Sequence, residues 1–200
     1  MTTKRQILQN AIAVFARSTY HGATTEDIAE EAGVTEALIY RYFGSKRTLF
    51  IEAIDHTSSQ LVDGLETILE EHRDDPMRAI RECFTFYARL LEEHGELAKM
   101  IFLVLSELDH QDVRETYLPY QTRALDAIGD AIDHWKELEL ADPAVSTGPA
   151  SWLYFGTYLI LALVRRSAGE VPVDPSRAVE LAKPFLTDEA FEDYESDAGT

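Results

Sequence analysis

The sequence has a single cysteine, few lysines and no apolar run long enough to span a membrane. Cys83 has no partner for a disulfide within the chain, so the fold does not depend on an oxidising compartment. The longest apolar run covers residues 152–164, whereas a membrane-spanning helix needs about 20 residues. The first residues also lack the continuous apolar segment of a signal peptide. We therefore expect a cytoplasmic protein that uses no membrane and buries this apolar helix within itself.

Basic residues are scarce, and the acidic residues are unevenly distributed. The formal net charge is −18, which taken alone argues against nucleic-acid binding. Residues 1–56 hold 6 basic and 7 acidic residues, so their balance is −1 and the other −17 lies in residues 57–200. A lysine-poor, acid-rich surface is favoured in a salt-rich cytoplasm and predicts a halophilic source. The alternative is an acidic protein that is simply very soluble.

The signatures of the common enzyme classes are also absent. The sequence has no paired Cys/His metal spacing, no glycine-rich phosphate loop, no nucleophile elbow and no HExxH motif. Its six histidines are scattered along the chain. We therefore expect no catalytic residue, no metal site and no cofactor.

Apolar residues recur at helical spacing along nearly the whole chain, which predicts an all-α fold of about nine helices. Gly22 is expected to end the first helix in a left-handed turn, and Thr35 to cap the third. A loop is expected at 142–149 because of its two prolines and glycine. The bounds expected for the longer helices are about 4–18, 46–73, 96–108, 113–138, 150–167 and 175–186.

The stretch from Thr24 to Phe50 has the spacing of a helix-turn-helix. Ala29 is small where two helices would touch, Gly33 follows at the turn, and Ile39 can plug the second helix into the first. The alternative is an ordinary αα-hairpin with a glycine turn. Further core contacts are expected from Ile28, Ala32, Val34 and Tyr42.

With these motifs, residues 4–54 resemble the head domain of the TetR family of transcriptional regulators. The IYRYFGSK block joined to a preceding AGV is the most specific part. The resemblance implies a homodimer that binds double-stranded operator DNA through a head at 1–45. A helical effector-binding and dimerisation body would follow at 46–187, and an acidic flexible tail at 188–200. The residues that carry the resemblance are 20–25, 28–29, 32–34, 39–43, 45–46 and 49–50.

The third helix would enter the major groove, and its first residues would reach base edges. Thr25, at a helix N-terminus, suits a phosphate, and Arg41 can reach phosphate or guanine. Glu36 is acidic at a position where such helices often carry a small or basic residue. Its carboxylate can accept a hydrogen bond from cytosine or point away from the DNA. Tyr42 either contacts phosphate or fills the core. The resemblance assigns DNA contacts to Thr25, Thr35, Glu36, Ala37, Tyr40, Arg41, Tyr42 and Lys46.

The eighth helix is apolar on all sides and should need cover on two of them. One side can face the core of its own chain, and the resemblance implies that the other forms a dimer seam with the ninth helix. The sequence does not decide which side of the eighth helix is which, and a core within one chain is the alternative. The expected dimer interface comprises Trp152, Phe155, Gly156, Leu159, Leu163, Val179, Leu181, Ala182 and Phe185.

The body is expected to bind a small molecule, because the bodies of the family do so. The balance of aromatic and apolar residues favours a hydrophobic effector, although aromatics at helical spacing are more often plain core. The candidate effector contacts are Phe84, Tyr87, Met100, Phe102, Tyr117, Tyr120, His134, Trp135, Tyr154 and Tyr158. We expect a repressor released by its ligand; the alternative is a dimeric helical interaction module that has lost DNA binding.

Overall fold

The computed structural model describes residues 3–93, 95–168, 185–188 and 190 of the chain. Within these residues the chain forms eight α-helices and one isolated antiparallel bridge, so the all-α prediction is confirmed. The helices are α1 (Lys4–Gly22), α2 (Thr25–Ala32), α3 (Glu36–Phe43), α4 (Lys46–Glu71), α5 (Pro76–Glu93), α6 (Gly95–Ser106), α7 (Gln111–Glu137) and α8 (Thr147–Ala168).

Helix α1 runs four residues beyond its expected end at Ser18. Thr3 caps its start, and Gln6 completes a reciprocal capping box. The interruption comes at Thr19, whose φ of 66° breaks the helical geometry before the chain resumes it to Gly22. The expectation that Gly22 forms the left-handed turn is therefore wrong, since Thr19 takes the positive φ instead.

The turn between α2 and α3 is formed as expected. Thr24 caps α2 and shares a capping box with Asp27, and Gly33 adopts the left-handed conformation with φ 64°. The Val34 amide then donates to the Ala29 carbonyl at 2.9 Å, which closes the end of α2. Thr35 occupies the cap position of α3 as expected, but its side chain makes no capping hydrogen bond.

The contacts divide the chain into two compact units. The first comprises Met1–Leu61 and Glu93–Tyr120, and the second comprises Val62–Glu92 and Gln121–Thr200. The core of the first unit joins Phe15 and Phe50 to Met100 and Val113. The packing unit that contains the expected head thus extends beyond residues 1–45. The functional boundaries at 45/46 and 187/188 stay predictions.

In the second unit, the segment that follows α7 meets the segment around Leu186. Ala141 and Leu186 form the isolated bridge, and the Thr187 amide donates to the Leu140 carbonyl at 3.0 Å. The expected ninth helix therefore does not reach Leu186, and its residues 175–184 lie outside the described residues. Of the expected acidic tail only Asp188 and Ala190 are described, and Ala190 is buried.

Helix α8 begins at Thr147, three residues earlier than expected, so the loop after α7 is shorter. The window Thr147–Val164 is, among the described residues, the one helical segment long and apolar enough to cross a membrane, by length and composition alone. Only 28% of that window is buried. Most of this window is therefore not covered within one chain.

Candidate DNA-binding surface

The helix-turn-helix packs through the residues expected from its spacing. Ile28 and Ile39 are fully buried and Ala29 nearly so, and all three belong to the core of the first unit. Tyr42, by contrast, is 41% exposed. The sequence left open whether Tyr42 contacts phosphate or fills the core, and this exposure favours a position on the surface.

The outer side of α3 is exposed at its first residues and again one turn later. Thr35, Glu36, Ala37, Tyr40 and Arg41 are all exposed. These five residues and Tyr42 are called here the α3 surface. A helix that presents a row of side chains from its first turn has the geometry required to reach base edges.

The Thr25 hydroxyl is occupied within the protein. It donates to Glu36 Oε1 at 2.5 Å and lies 3.2 Å from the Tyr40 hydroxyl. Thr25 is only 9% exposed, and the cap of α2 is Thr24. The hydroxyl therefore joins the start of α2 to α3 instead of being open to a phosphate. Glu36 is turned toward α2 by this bond.

Lys46 is held by backbone carbonyls near the end of α1. Its ammonium donates to the Tyr20 carbonyl at 3.0 Å and to the Ala23 carbonyl at 2.8 Å. It also lies 4.7 Å from the centroid of the Tyr20 ring. Because an ammonium has three donors, one is left for a phosphate. The family resemblance assigned a DNA contact to Lys46, but the sequence gave no sign that Lys46 also binds these two carbonyls.

Two of the four cations of the head are paired with carboxylates. Arg17 contacts Glu31 at 2.6 Å, and Lys4 contacts Glu52 at 2.7 Å. Since their carboxylate partners already neutralise these side chains, few charges remain to neutralise phosphates. The sequence could not identify the partners, because 14 and 48 positions separate the paired residues.

Arg47 and Asp112 form a bidentate pair within the first unit. Arg47 Nε donates to Asp112 Oδ2 at 2.7 Å, and Nη2 donates to Oδ1 at 2.5 Å. The hydrogen bonds from Arg47 hold the pKa of Asp112 below its usual value. Arg5 and Arg41 are exposed, and Arg41 lies on the α3 surface.

The candidate effector residues separate into different places. Phe84, Trp135 and Tyr154 line a cavity of about 390 Å³ in the second unit. The Tyr158 ring packs 6.0 Å from Phe84 and 4.4 Å from Tyr87, measured between centroids. The structure therefore brings five of the ten candidates together.

The other five candidates lie away from this cavity and from the rings packed beside it. Met100 and Tyr117 belong to the core of the first unit, and Phe102 also lies in that unit. Tyr120, of the same unit, donates its hydroxyl hydrogen to Asp55 at 2.6 Å. His134 belongs to the second unit but contacts Asp74 at 2.7 Å, beside a separate groove.

The structure distinguishes the two sides of α8. Tyr154, Tyr158 and Leu161 face the interior of the second unit, and Tyr158 and Leu161 are buried there. Trp152 and Leu163 are 55% and 54% exposed. The expected dimer stripe is thus the exposed side of α8, called here the α8 face. It comprises the expected Trp152, Phe155, Gly156, Leu159 and Leu163 and the additional Leu153 and Ile160.

The expected contribution of the ninth helix is only partly described. Val179, Leu181 and Ala182 lie outside the described residues. Phe185 lines the cavity of its own unit, and its carbonyl accepts from the Asp142 amide at 3.1 Å. Leu153 and Ile160 of the α8 face line the same cavity, and the expected place of Phe185 in a dimer interface stays a prediction.

Comparison with the sequences of known proteins finds similarity over part of the chain. The family model described as bacterial regulatory proteins, tetR family, matches residues 7–53. The repressor NicS of Pseudomonas putida is 31% identical over 99 residues, which are 50% of this chain and 46% of NicS. The activator FasR of Mycolicibacterium smegmatis is 29% identical over 97 residues, 48% of this chain and 44% of FasR. The chain thus matches about half the length of these relatives.

Solved structures resemble the chain over nearly its whole length. SmeT, the repressor of the Stenotrophomonas maltophilia multidrug efflux pump SmeDEF, is 20% identical, with a TM-score of 0.73, and the match covers 94% of this chain and 92% of SmeT. A transcriptional regulator FadR from Bacillus subtilis, solved with stearoyl-CoA, is 18% identical with a TM-score of 0.73, and the match covers 90% of this chain and 96% of FadR. At this identity the likeness concerns the fold.

Proposed function

We propose that this chain, whose residues 7–53 match the model of the tetR family of bacterial regulatory proteins, is a cytoplasmic repressor that binds operator DNA as a homodimer. A small hydrophobic ligand would release it from the operator. The α3 surface is the observation that carries the proposal. Thr35 is exposed just before the helix, and Ala37, Tyr40 and Arg41 are exposed over its first two turns, where side chains of a helix in the major groove reach base edges.

Two features of the second unit support the remaining parts of the proposal. The α8 face leaves large apolar side chains exposed, and an apolar patch of this kind favours a protein partner. The apolar cavity beside Phe84 and Trp135 favours a small ligand. Structures of similar fold include FadR with stearoyl-CoA and SmeT with triclosan.

A dimeric interaction module that has lost DNA binding remains the second candidate. The observation in its favour is the pairing of Lys4, Arg17 and Arg47 with carboxylates. These pairs leave Arg41 as the exposed cation on the α3 surface. If the protein is such an interaction module, the affinity for DNA is the same with and without Arg41.

The experiment is fluorescence anisotropy of the purified protein with labelled duplex from upstream of its own gene, and with a randomised duplex. KCl is varied from low to molar concentrations. We expect saturable, sequence-selective binding with a shallow dependence on salt, because few phosphates are neutralised. Arg41→Ala should weaken binding by roughly 5- to 150-fold, the effect of losing a base-reading arginine.

Arg89→Ala is the matched control, because Arg89 is exposed on α5 in the other unit and its loss changes the net charge equally. Its affinity should stay within about twofold of the original. Lys46→Ala is unsuitable as a DNA-contact test, since it also leaves the Tyr20 and Ala23 carbonyls without their donor. Absence of binding to either duplex at every salt concentration would favour the interaction module.

A further inference from the structure

Thr19 has a backbone conformation that is normally found only at glycine. Its φ of 66° and ψ of 172° lie in a region that a β-branched residue enters only at a cost in free energy. The Ala23 amide donates to the Thr19 carbonyl at 3.2 Å, and residues 19–23 are called here the α1 turn. A strained residue persists only where its surroundings hold it, so the contacts of the α1 turn identify what holds Thr19.

Two backbone carbonyls of the α1 turn are bound by one side chain. Lys46 Nζ donates to the Tyr20 carbonyl at 3.0 Å and to the Ala23 carbonyl at 2.8 Å. Hydrogen bonds from a charged donor are stronger than those between neutral groups. Because both bonds come from the same ammonium, the position of Lys46 and the shape of the α1 turn depend on each other.

The Tyr20 ring connects the α1 turn to a second cation. The ring centroid lies 4.7 Å from Lys46 Nζ and 4.9 Å from the guanidinium carbon of Arg47. On another side it packs 4.7 Å from the centroid of the Phe50 ring. A cation is attracted to the face of an aromatic ring when it is held close to it. The placement of Arg47 therefore contributes to the placement of the Tyr20 ring.

Arg47 is held beside this ring by the first turn of α7. Asp112 accepts from Arg47 Nε at 2.7 Å and from Nη2 at 2.5 Å, and a bidentate pair of this kind fixes the plane of the guanidinium. The Val113 amide donates to Asp112 Oδ1 at 3.0 Å and orients the carboxylate. All of these residues belong to the first unit. The contacts from Asp112 to the α1 turn are thus continuous.

The strain at Thr19 gives this series of contacts a purpose beyond stability. An exposed ion pair adds little to the free energy of unfolding by itself, and the Asp112 side chain is 47% exposed. A strained conformation, however, competes with relaxed ones of similar free energy. A small loss of support is then enough to change their populations.

We propose that Asp112 is a positioning residue for Lys46. By holding Arg47 against the Tyr20 ring, it keeps the α1 turn in its strained form, with both carbonyls placed to bind the ammonium. One donor of that ammonium remains for a phosphate, so Asp112 also governs this contact of the proposed head with DNA. This last step rests on the proposed function, whereas the hold on the α1 turn does not.

Amide hydrogen exchange of the whole chain, followed by NMR, tests the hold on the α1 turn without DNA. Asp112→Asn should speed exchange of the Ala23 amide by about two- to tenfold, the effect of losing one hydrogen bond. The Ile28 amide, which donates to the Thr24 carbonyl at 3.2 Å in α2, is the internal reference. Its exchange should stay unchanged, because the opening is local.

Thr19→Gly tests whether strain is the reason. Glycine adopts this conformation without a side-chain clash, so adding Thr19→Gly to Asp112→Asn should slow exchange of the Ala23 amide toward the original rate. The variant loses only a long hydrogen bond, since the Thr19 hydroxyl accepts from the Gly22 amide at 3.4 Å. A general loss of stability would not be repaired in this way, because glycine adds freedom to the unfolded chain.

Fluorescence anisotropy with the upstream duplex tests the consequence for DNA binding. Asp112→Asn removes a negative charge and frees the Arg47 cation, and by charge alone both changes would strengthen binding to phosphate. We expect the opposite, an affinity about two- to tenfold weaker, because Lys46 loses its position. Glu66→Gln is the matched control, since Glu66 binds Arg123 at 2.6 Å in the other unit. It should change neither the affinity nor the exchange of the α1 turn.

The inference is overturned if Asp112→Asn leaves exchange of the Ala23 amide unchanged, or speeds that of Ile28 equally. It is also overturned if Thr19→Gly gives no recovery, or if Asp112→Asn binds DNA as well as the original protein or better. Faster exchange at Ala23 in a protein that binds no DNA would reject the proposed function and leave the hold on the α1 turn standing. DNA binding with unchanged exchange would reject only this inference.

Discussion

The acidic residue at the start of α3 is explained by its contact with Thr25. Glu36 accepts the Thr25 hydrogen bond at 2.5 Å, and Tyr40 lies within reach of the same hydroxyl at 3.2 Å. These contacts hold one side of the α3 surface in place within the protein. A carboxylate that would repel phosphate in isolation thus contributes to the order of the surface. Whether Glu36 also reads a base stays a prediction.

Cys83 provides a prediction about alkaline pH. Burial raises its pKa from 9.0 to about 12, so between these values the unfolded chain loses the proton while the folded chain keeps it. Stability should therefore be independent of this group below pH 9 and should fall as the pH rises toward 12. The loss should approach roughly 1.4 kcal/mol per pH unit.

The measurement is the free energy of unfolding in urea at several pH values from 8 to 11, for the original protein and Cys83→Ala. The variant should show a constant cost from the lost side chain and a shallower decline above pH 9. Because Cys83 contributes to the raised pKa values of Tyr154 and Tyr158, and tyrosines of the unfolded chain titrate near pH 10, the difference is assigned to Cys83 only between pH 8 and about 10. Parallel curves would contradict the assignment.

At the scale of elements, Gly64 permits α4 and α5 to approach closely. A Cβ added at this position would lie 2.2 Å from the Phe86 ring. Gly64→Ala should improve helix propensity by about 1 kcal/mol but cost about 1–3 kcal/mol in overpacking. We expect a net destabilisation of about 1 kcal/mol, measured by urea unfolding.

Gly129→Ala is the control for this prediction. Gly129 also lies inside a helix, but its added Cβ would meet Ser151 at an ordinary 3.4 Å. This variant should be as stable as the original protein or up to about 1 kcal/mol more stable. Adding Phe86→Leu to Gly64→Ala should recover part of the lost stability. No recovery would show that the ring is not the obstacle.

At the scale of the whole molecule, the α8 face leads to a prediction about assembly. Leu163 is 54% exposed within one chain, and a charge buried in a dimer seam without a partner is strongly unfavourable. Leu163→Glu should therefore convert the proposed dimer to a monomer, as measured by sedimentation. Leu138→Glu, at an exposed leucine outside α8, should leave the mass unchanged. A monomeric original protein would contradict the proposal.

The net charge of −18 leads to a second prediction at this scale. Salt screens repulsion between exposed carboxylates, so the unfolding temperature should rise with KCl. We expect a rise of at least about 5 °C between 0.1 and 2 M, equivalent to roughly 1–2 kcal/mol for a chain of this size. A constant or falling unfolding temperature would contradict the predicted adaptation to a salt-rich cytoplasm.

The sequence was sufficient to predict the elements of the head. Gly33 acts through local backbone geometry, so its position alone locates the turn between α2 and α3. The spacing of Ile28, Ala29 and Ile39 likewise identified the buried side of the helix-turn-helix, because helical periodicity fixes which residues share a face. Thr19 escaped prediction because a positive φ at a threonine has no local signal.

The sequence by itself determined the helical class, the helix-turn-helix and the apolar character of α8. Only the tertiary structure decided which groups meet across long separations. It paired Arg47 with Asp112, directed Lys46 to two carbonyls and turned the Tyr154 side of α8 inward. The physical reason is that periodicity records the faces of a helix, whereas the partner of a side chain depends on how separate helices pack.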